Sequence, residues 1–180
     1  MSNWNKVFKP IVVLCVICVV ITGALAATNS ATAPIILAAK LEAERLARME
    51  LLPEADDFTR VDSVSVENVT DVYTANNGAG CVITSTAKGY GGTMTVMVAY
   101  TPDGTIKQIK VTEQGETQGI GSKVAGTASY WERYQGQPAA ELKINKDGGT
   151  IDAESGATIS SRALAKAVSS ANEAYNAVNS

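Results

Sequence analysis

Ile11 to Ala27 is a stretch of 17 residues without a charge, broken only by Thr22 and Gly23. As a helix it spans about 25 Å, slightly short of a ~30 Å hydrocarbon core. Val7 and Phe8 extend it, Trp4 falls at interface height, and Lys6 and Lys9 have stems long enough to snorkel. Such a run forces whatever follows to fold on one side of a membrane. Both lysines precede it, and Thr28 to Leu37 carries no charge. The positive-inside rule therefore puts residues 1–9 in the cytoplasm and the rest outside. A cleaved signal peptide has the same outline, with Ile11 to Ile21 as its apolar core and Ala24-Leu25-Ala26 as an A-x-A-like cleavage site. On either reading the folded part is extracytoplasmic.

The chain has 180 residues, 46% of them hydrophobic, which is room for one domain with a real core plus a short extra element. A net charge of −3 with no basic patch argues against nucleic acid as a partner. Histidine is absent, which excludes a Ser-His triad, His-ligated zinc and imidazole acid–base work. Three cysteines are too few for a disulfide framework. Cys15 and Cys18 share one face of the apolar helix, where packing is the ordinary role for cysteine, and Cys81 is expected to be buried.

Thr28 to Pro34 is rich in small polar residues and reads as a break, with Pro34 suited to a first helical position. Ile35 to Leu52 then predicts a helix of strong formers ending at Pro53, either a solvated spacer or a surface for a partner. From Asp56 the pattern turns to strands. Met94, Val96, Val98 and Tyr100 alternate with Thr93, Thr95, Met97 and Ala99. The turn Thr101-Pro102-Asp103-Gly104 leads to a partner strand over Thr105 to Thr112. Val69 to Tyr73 and Cys81 to Ser85 predict shorter strands around the hairpin signal Asn76-Asn77-Gly78. Val124 to Tyr134 predicts a short helix. Strands first and helices later indicate an α+β fold, an antiparallel sheet with flanking helices behind an N-terminal transmembrane helix. The expected organisation is a membrane segment over 1–28, a juxtamembrane linker and helix over 29–54, and a folded domain over 55–180.

The chemistry is concentrated in Asp152-Ala153-Glu154-Ser155-Gly156-Ala157-Thr158, which opens a C-terminal helix. The helix shows in the apolar stripe Leu164, Val168, Ala171, Tyr175 and Val178. Gly156 and Ala157 have almost no side chain, so the Thr158 hydroxyl stays open to a bulky reactant. A phosphate there would sit over the free amides of Ile159, Ser160 and Ser161, at the positive end of the helix dipole. Ser155, Thr158, Ser160 and Ser161 also suit a plain N-cap, and a cap can carry a group as well. A threonine hydroxyl is a poor spontaneous nucleophile, so such a phosphoester needs a donor and a separate transferase. Elsewhere, Gly119-Ile120-Gly121-Ser122-Lys123-Val124 has valine where a dinucleotide fingerprint wants Gly or Ala, no P-loop is present, and Gly89-Tyr90-Gly91-Gly92 reads as a turn.

The D-x-x-S-G-A-T run resembles the flavin-attachment motif of the FMN-binding domain shared by two membrane proteins: the G subunit of Rnf electron-transport complexes and the C subunit of sodium-translocating NADH:quinone reductases. Glu116-Thr117-Gln118-Gly119-Ile120-Gly121-Ser122-Lys123 is similar to that family's E-T-P-G-L-G loop, with Gln118 in place of proline and Ile120 in place of leucine. The resemblance implies FMN joined to Thr158 through a phosphoester, within the frame of Asp152, Ser155, Gly156 and Ala157. It also implies a loop beside the flavin. There Gly119 and Gly121 let backbone approach a planar ring and offer it N–H groups, Glu116 and Thr117 complete the match, and Lys123 faces the negative charge of reduced FMN. A retained membrane anchor, a flavin transferase, membrane lipid and other membrane and redox subunits follow as partners. The short chain favours the Rnf G subunit, in which electrons pass between ferredoxin and NAD coupled to Na⁺ or H⁺ movement. Two other functions fit the same residues: a flavinylated carrier of another extracytoplasmic electron chain, including the quinone-reductase C subunit, and a non-redox anchored module whose Ser/Thr loop only caps a helix.

Overall fold

The structure is a computed structural model and describes residues 8–179, so Trp4, Lys6 and Val7 lie outside the described residues. Five strands, β1 (Phe58–Arg60), β2 (Val69–Ala75), β3 (Cys81–Lys88), β4 (Thr93–Tyr100) and β5 (Ile106–Glu113), form an antiparallel sheet in chain order. The turn chemistry works as its residues require. Gly78 takes φ +73° and Gly104 φ +84°. The Gly104 amide closes its turn by donating to the Thr101 carbonyl at 3.0 Å. Strand β1 has no counterpart in the sequence reading, because three residues are too few to show an alternation.

Helix α4 (Thr158–Val178) lies on one face of the sheet. The stripe Leu164, Val168, Ala171 and Tyr175 is buried as its spacing requires, and Ala163, Ala167 and Ala174 are buried beside it. These alanines meet Ile83, Val96, Val98 and Tyr100 from the strands. Two buried polar bonds fix the register. The Ser85 hydroxyl donates to the Ala167 carbonyl at 2.8 Å, and the Tyr100 hydroxyl donates to Asn172 Oδ1 at 2.6 Å.

Helix α1 runs without interruption from Lys9 to Leu51 with Pro34 inside it, so the expected break at Thr28 to Pro34 is not there. The polar residues of that segment satisfy themselves within the helix. The Thr28, Ser30 and Thr32 hydroxyls donate to the carbonyls of Ala24, Ala26 and Thr28 at 2.9, 2.9 and 3.0 Å. The chain divides into two compact units, Met1–Glu44 and Arg45–Ser180. In the first, α1 is long and apolar enough to cross a membrane. In the second, the last turn of α1 is packed rather than solvated. Ala47, Leu51, Leu52 and Ala55 cover Val82, Met97 and Ala99 on the face of the sheet opposite α4. The Arg48 guanidinium stacks 4.0 Å over the Tyr73 ring, and Lys107 and Lys110 pair with Glu54 and Glu50.

The helix expected over Val124 to Tyr134 is divided into α2 (Ser122–Ala125), α3 (Ala128–Trp131) and a 3₁₀ turn over Glu132–Tyr134. Gly126 closes the first piece by donating to the Ser122 carbonyl, and Thr127 is extended at φ −125°, ψ 115°. Glycine followed by a β-branched residue is a weak place to continue a helix.

Cys81 is buried, and burial pushes its thiol up from 9.0 to about 12. The unfolded thiol ionises first, so its contribution to stability is whole below about pH 9 and lost as pH rises toward 12. In a Cys15→Ser, Cys18→Ser background, Cys81 is expected to resist alkylation at about pH 8 until denaturant is added. Stability should fall across the alkaline window, and less steeply in Cys81→Ala. Alkylation of the native protein at the unfolded rate would contradict this placement.

Candidate functional site

The two candidate loops, separated in sequence by the whole 124–151 segment, face each other across one cleft of about 440 Å³. Glu116, Thr117, Ile120 and Gly121 form one wall, Gly156 to Ser160 the other, and Tyr90 from the β3–β4 hairpin completes it. Tyr90, Ile120 and Ile159 are 72%, 51% and 50% exposed. Three large apolar side chains turned to water around one opening offer a surface for a flat aromatic group.

On the α4 side, Thr158 is the first residue of the helix, after Ala157, and no side chain caps it. The Ala157 amide donates to the Glu154 carbonyl at 3.1 Å and the Ser161 amide to the Ala157 carbonyl at 2.9 Å. The open amides are therefore those of Thr158, Ile159 and Ser160, one residue earlier than the sequence reading placed them. Ser161 does not cap from in front but ties the preceding loop. Its hydroxyl accepts from the Glu154 amide at 3.1 Å and donates to the Ala157 carbonyl at 3.0 Å. Gly156 sits at φ +79° with open space around it, so glycine is needed there for its backbone and not for room.

A short 3₁₀ turn, Asn145–Asp147, grips this segment at three points. Asn145 donates to Asp152 Oδ1 at 3.0 Å and accepts from the Ala153 amide at 3.3 Å. Lys146 Nζ donates to Thr158 Oγ1 at 3.0 Å. Asp147 accepts from Arg162 Nε and Nη2 at 2.6 and 2.7 Å, a two-point pair that lowers its carboxyl pKa. Sequence reasoning missed this turn and missed Tyr90. Its one local signal is the polar, glycine-ended run Asn145 to Gly149 directly before the motif.

On the opposite wall, Glu116 is 9% exposed and acts as a tie. Ser160 Oγ donates to its Oε2 at 2.5 Å, and the Gly91 amide donates to its Oε1 at 3.2 Å. A Cβ at Gly89 or Gly121 would collide with this carboxylate, so those glycines are glycines for space. One buried acid thus joins the hairpin turn, the 116–121 loop and the start of α4.

The remaining candidates stand further off. Gly119 adopts φ +79°, and its amide donates to Ser122 Oγ at 2.8 Å, so that N–H is not offered to a ring. Lys123 Nζ lies 3.9 Å from Glu154 Oε1, and its side chain is mostly exposed. Neither residue lines the cleft, nor do Asp152 and Ser155; Asp152 is held from behind by Asn145. Open amides, an adjacent lysine and an apolar rim fit a group with an anionic phosphate and a planar ring system, as FMN has.

Residues 89–173 match the family of the FMN-binding domain. The chain is 31% identical to the G subunit of the Na(+)-translocating ferredoxin:NAD(+) oxidoreductase complex of Acetobacterium woodii, over 96% of this chain and 93% of that protein. It is also 31% identical to the G subunit of the ion-translocating oxidoreductase complex of Methanosarcina acetivorans, over 95% of each. Among solved structures, the C subunit of the Na(+)-translocating NADH-quinone reductase of Parabacteroides distasonis is 19% identical, with 58% of each chain covered and a TM-score of 0.48. Fold and site together define an FMN-binding domain behind an apolar helix. More narrowly, the chain belongs to the G subunits of ion-translocating oxidoreductase complexes, the Rnf type.

Replacing Glu116 with Ala removes the acceptor shared by Ser160 and Gly91. A cost of about 2–3 kcal/mol is expected, with faster amide exchange at Gly91. Unfolding of the full chain in detergent measures the first and hydrogen exchange the second. A variant as stable as the parent would mean that the three segments hold together without it.

Proposed function

We propose that the cleft holds FMN, that Thr158 carries it as a phosphoester, and that the chain serves as the flavin-bearing electron relay of its complex. The observation that carries the reading is the meeting of both loops at one opening, with the Thr158 hydroxyl at its rim and apolar walls beside it. The residues have separable tasks. The α4 amides of Thr158 to Ser160 receive the phosphate. Tyr90, Ile120 and Ile159 shield one side of a flat ring from water. Glu116, with Thr117 and Gly121 around it, keeps the walls at a fixed spacing. Gly156 and Ala157 keep the hydroxyl reachable, and Asp152, fixed by Asn145, presents the edge that a flavin transferase reads. Bound there, FMN supplies one- and two-electron transfer.

The assembly is inferred from the relatives' names. Electrons pass between ferredoxin and NAD through a set of membrane and redox subunits, coupled to movement of Na⁺ or H⁺, and this chain supplies one stepping stone. Covalent attachment keeps the cofactor on a domain that faces the outside, where no flavin is made. The outward orientation rests on Lys9, and on Lys6 outside the described residues, both before the apolar run. The α1 stretch beyond that run leads into the folded domain at Arg45.

Thr158→Ala is expected to give a folded, colourless protein, losing at most about 1 kcal/mol with the hydrogen bond that its hydroxyl accepts from Lys146. In-gel fluorescence after denaturation and intact mass report the flavin. Fluorescence surviving in this variant would remove Thr158 as the attachment point.

Topology is tested separately. Protease added to spheroplasts should digest the domain and leave a short protected fragment containing Ile11 to Ala27. A domain that stays intact until the membrane is broken would reverse the orientation.

A further inference from the structure

We infer that Lys146 is a positioning residue for the modification of Thr158 and the counter-charge of the phosphodiester once it has formed. The inference rests on the attachment reading above. Lys146 Nζ is 3.0 Å from Thr158 Oγ1. An ammonium has only donors, so it engages a lone pair of that oxygen and leaves the hydroxyl proton free to point outward. The placement is built rather than accidental. Asn145 holds Asp152 and Ala153 on one side of Lys146, and Asp147 holds Arg162 on the other. The turn closes on Gly148 at φ +83°, and a Cβ at Gly149 would collide with the Lys143 carbonyl. Lys146 is thus carried by a backbone fastened at both ends of the segment it serves. Arg162, one turn along α4 from Thr158, has its guanidinium engaged by Asp147, so the cation that reaches the hydroxyl is Lys146.

The transfer assigns each atom a place. The donor is a flavin nucleotide whose phosphate is part of an anhydride. The Oγ1–P bond forms, the anhydride P–O bond breaks, and the nucleoside monophosphate leaves with the anhydride oxygen. The hydroxyl proton goes to a base on the transferase, because a lysine that is donating its own proton has no lone pair to take another. Lys146 fixes the direction of Oγ1 before attack and lies beside the negative charge that remains on the diester afterwards. The α4 amides face the same charge along the helix axis.

The experiment compares the full chain with Lys146→Ala, Lys146→Gln, Lys146→Arg and Thr158→Ala, each co-expressed with the flavin transferase. Covalent flavin is followed over time by intact mass and in-gel fluorescence. Lys146→Ala and Lys146→Gln should load about tenfold more slowly, the worth of one charge-assisted hydrogen bond. Lys146→Arg, which keeps charge and donors, should load close to the parent rate. Loading of Lys146→Ala at the parent rate, or an Arg variant no faster than the Ala variant, overturns the role of Lys146 while leaving attachment intact. Covalent flavin on Thr158→Ala overturns the attachment itself, and the inference with it.

Discussion

The carboxylate of Glu116 is the point at which three stretches of chain distant in sequence become one site. A buried acid is costly unless its oxygens are engaged, and here each oxygen has a donor: Ser160 on α4 and the Gly91 amide on the β3–β4 hairpin. The glycines around it follow from that choice, since a side chain at Gly89 or Gly121 would meet the carboxylate itself. The walls of the cleft therefore stand where they do because a charge had to be satisfied, and the apolar side chains on those walls are positioned as a by-product. An electrostatic requirement sets the width of an apolar cleft.

Much of the fold is legible in the sequence. The alternation along Thr93 to Tyr100, the turn at Gly104 and the stripe from Leu164 to Tyr175 each express one local rule and appear as that rule demands. The strip Thr28 to Pro34 misleads because small polar residues signal a loop on average, yet here each hydroxyl bonds a carbonyl one turn back and the helix keeps them. Burial on both faces of β4 is also invisible locally. Met97 and Ala99 are covered by residues from the end of α1, and nothing in the strand announces that a distant helix will arrive there.

The site divides along the same line. A residue that acts through the local backbone is readable in place, as Thr158 opening α4 is; Gly156 reads as small, whereas what it supplies is a left-handed turn. Residues that act across the chain are not readable. Tyr90 belongs to a glycine-rich turn that reads as a connection, and Lys146 to a polar turn with no motif of its own, yet the first lines the opening and the second bonds the Thr158 hydroxyl oxygen. Conversely, Gly119 reads as a backbone donor but its amide is taken by Ser122, and Lys123 finds Glu154. Spacing in sequence gives candidates; the partners that compete for each donor decide which of them remain available.

The alanines beneath α4 have a mechanical consequence. A helix of 21 residues is a rod of about 30 Å, and Thr158 stands at one end of it. Ala163, Ala167, Ala171 and Ala174 form the seat, so the height of the rod above the sheet is set by single methyl groups with almost no slack. Enlarging one of them near the middle acts as a wedge under a lever, and the end bearing the hydroxyl is displaced although it lies several turns away. The geometry at the start of α4 is thus recorded in side chains that never approach it, and the tolerance of the cleft to change is as narrow as the difference between a methyl and an isopropyl group.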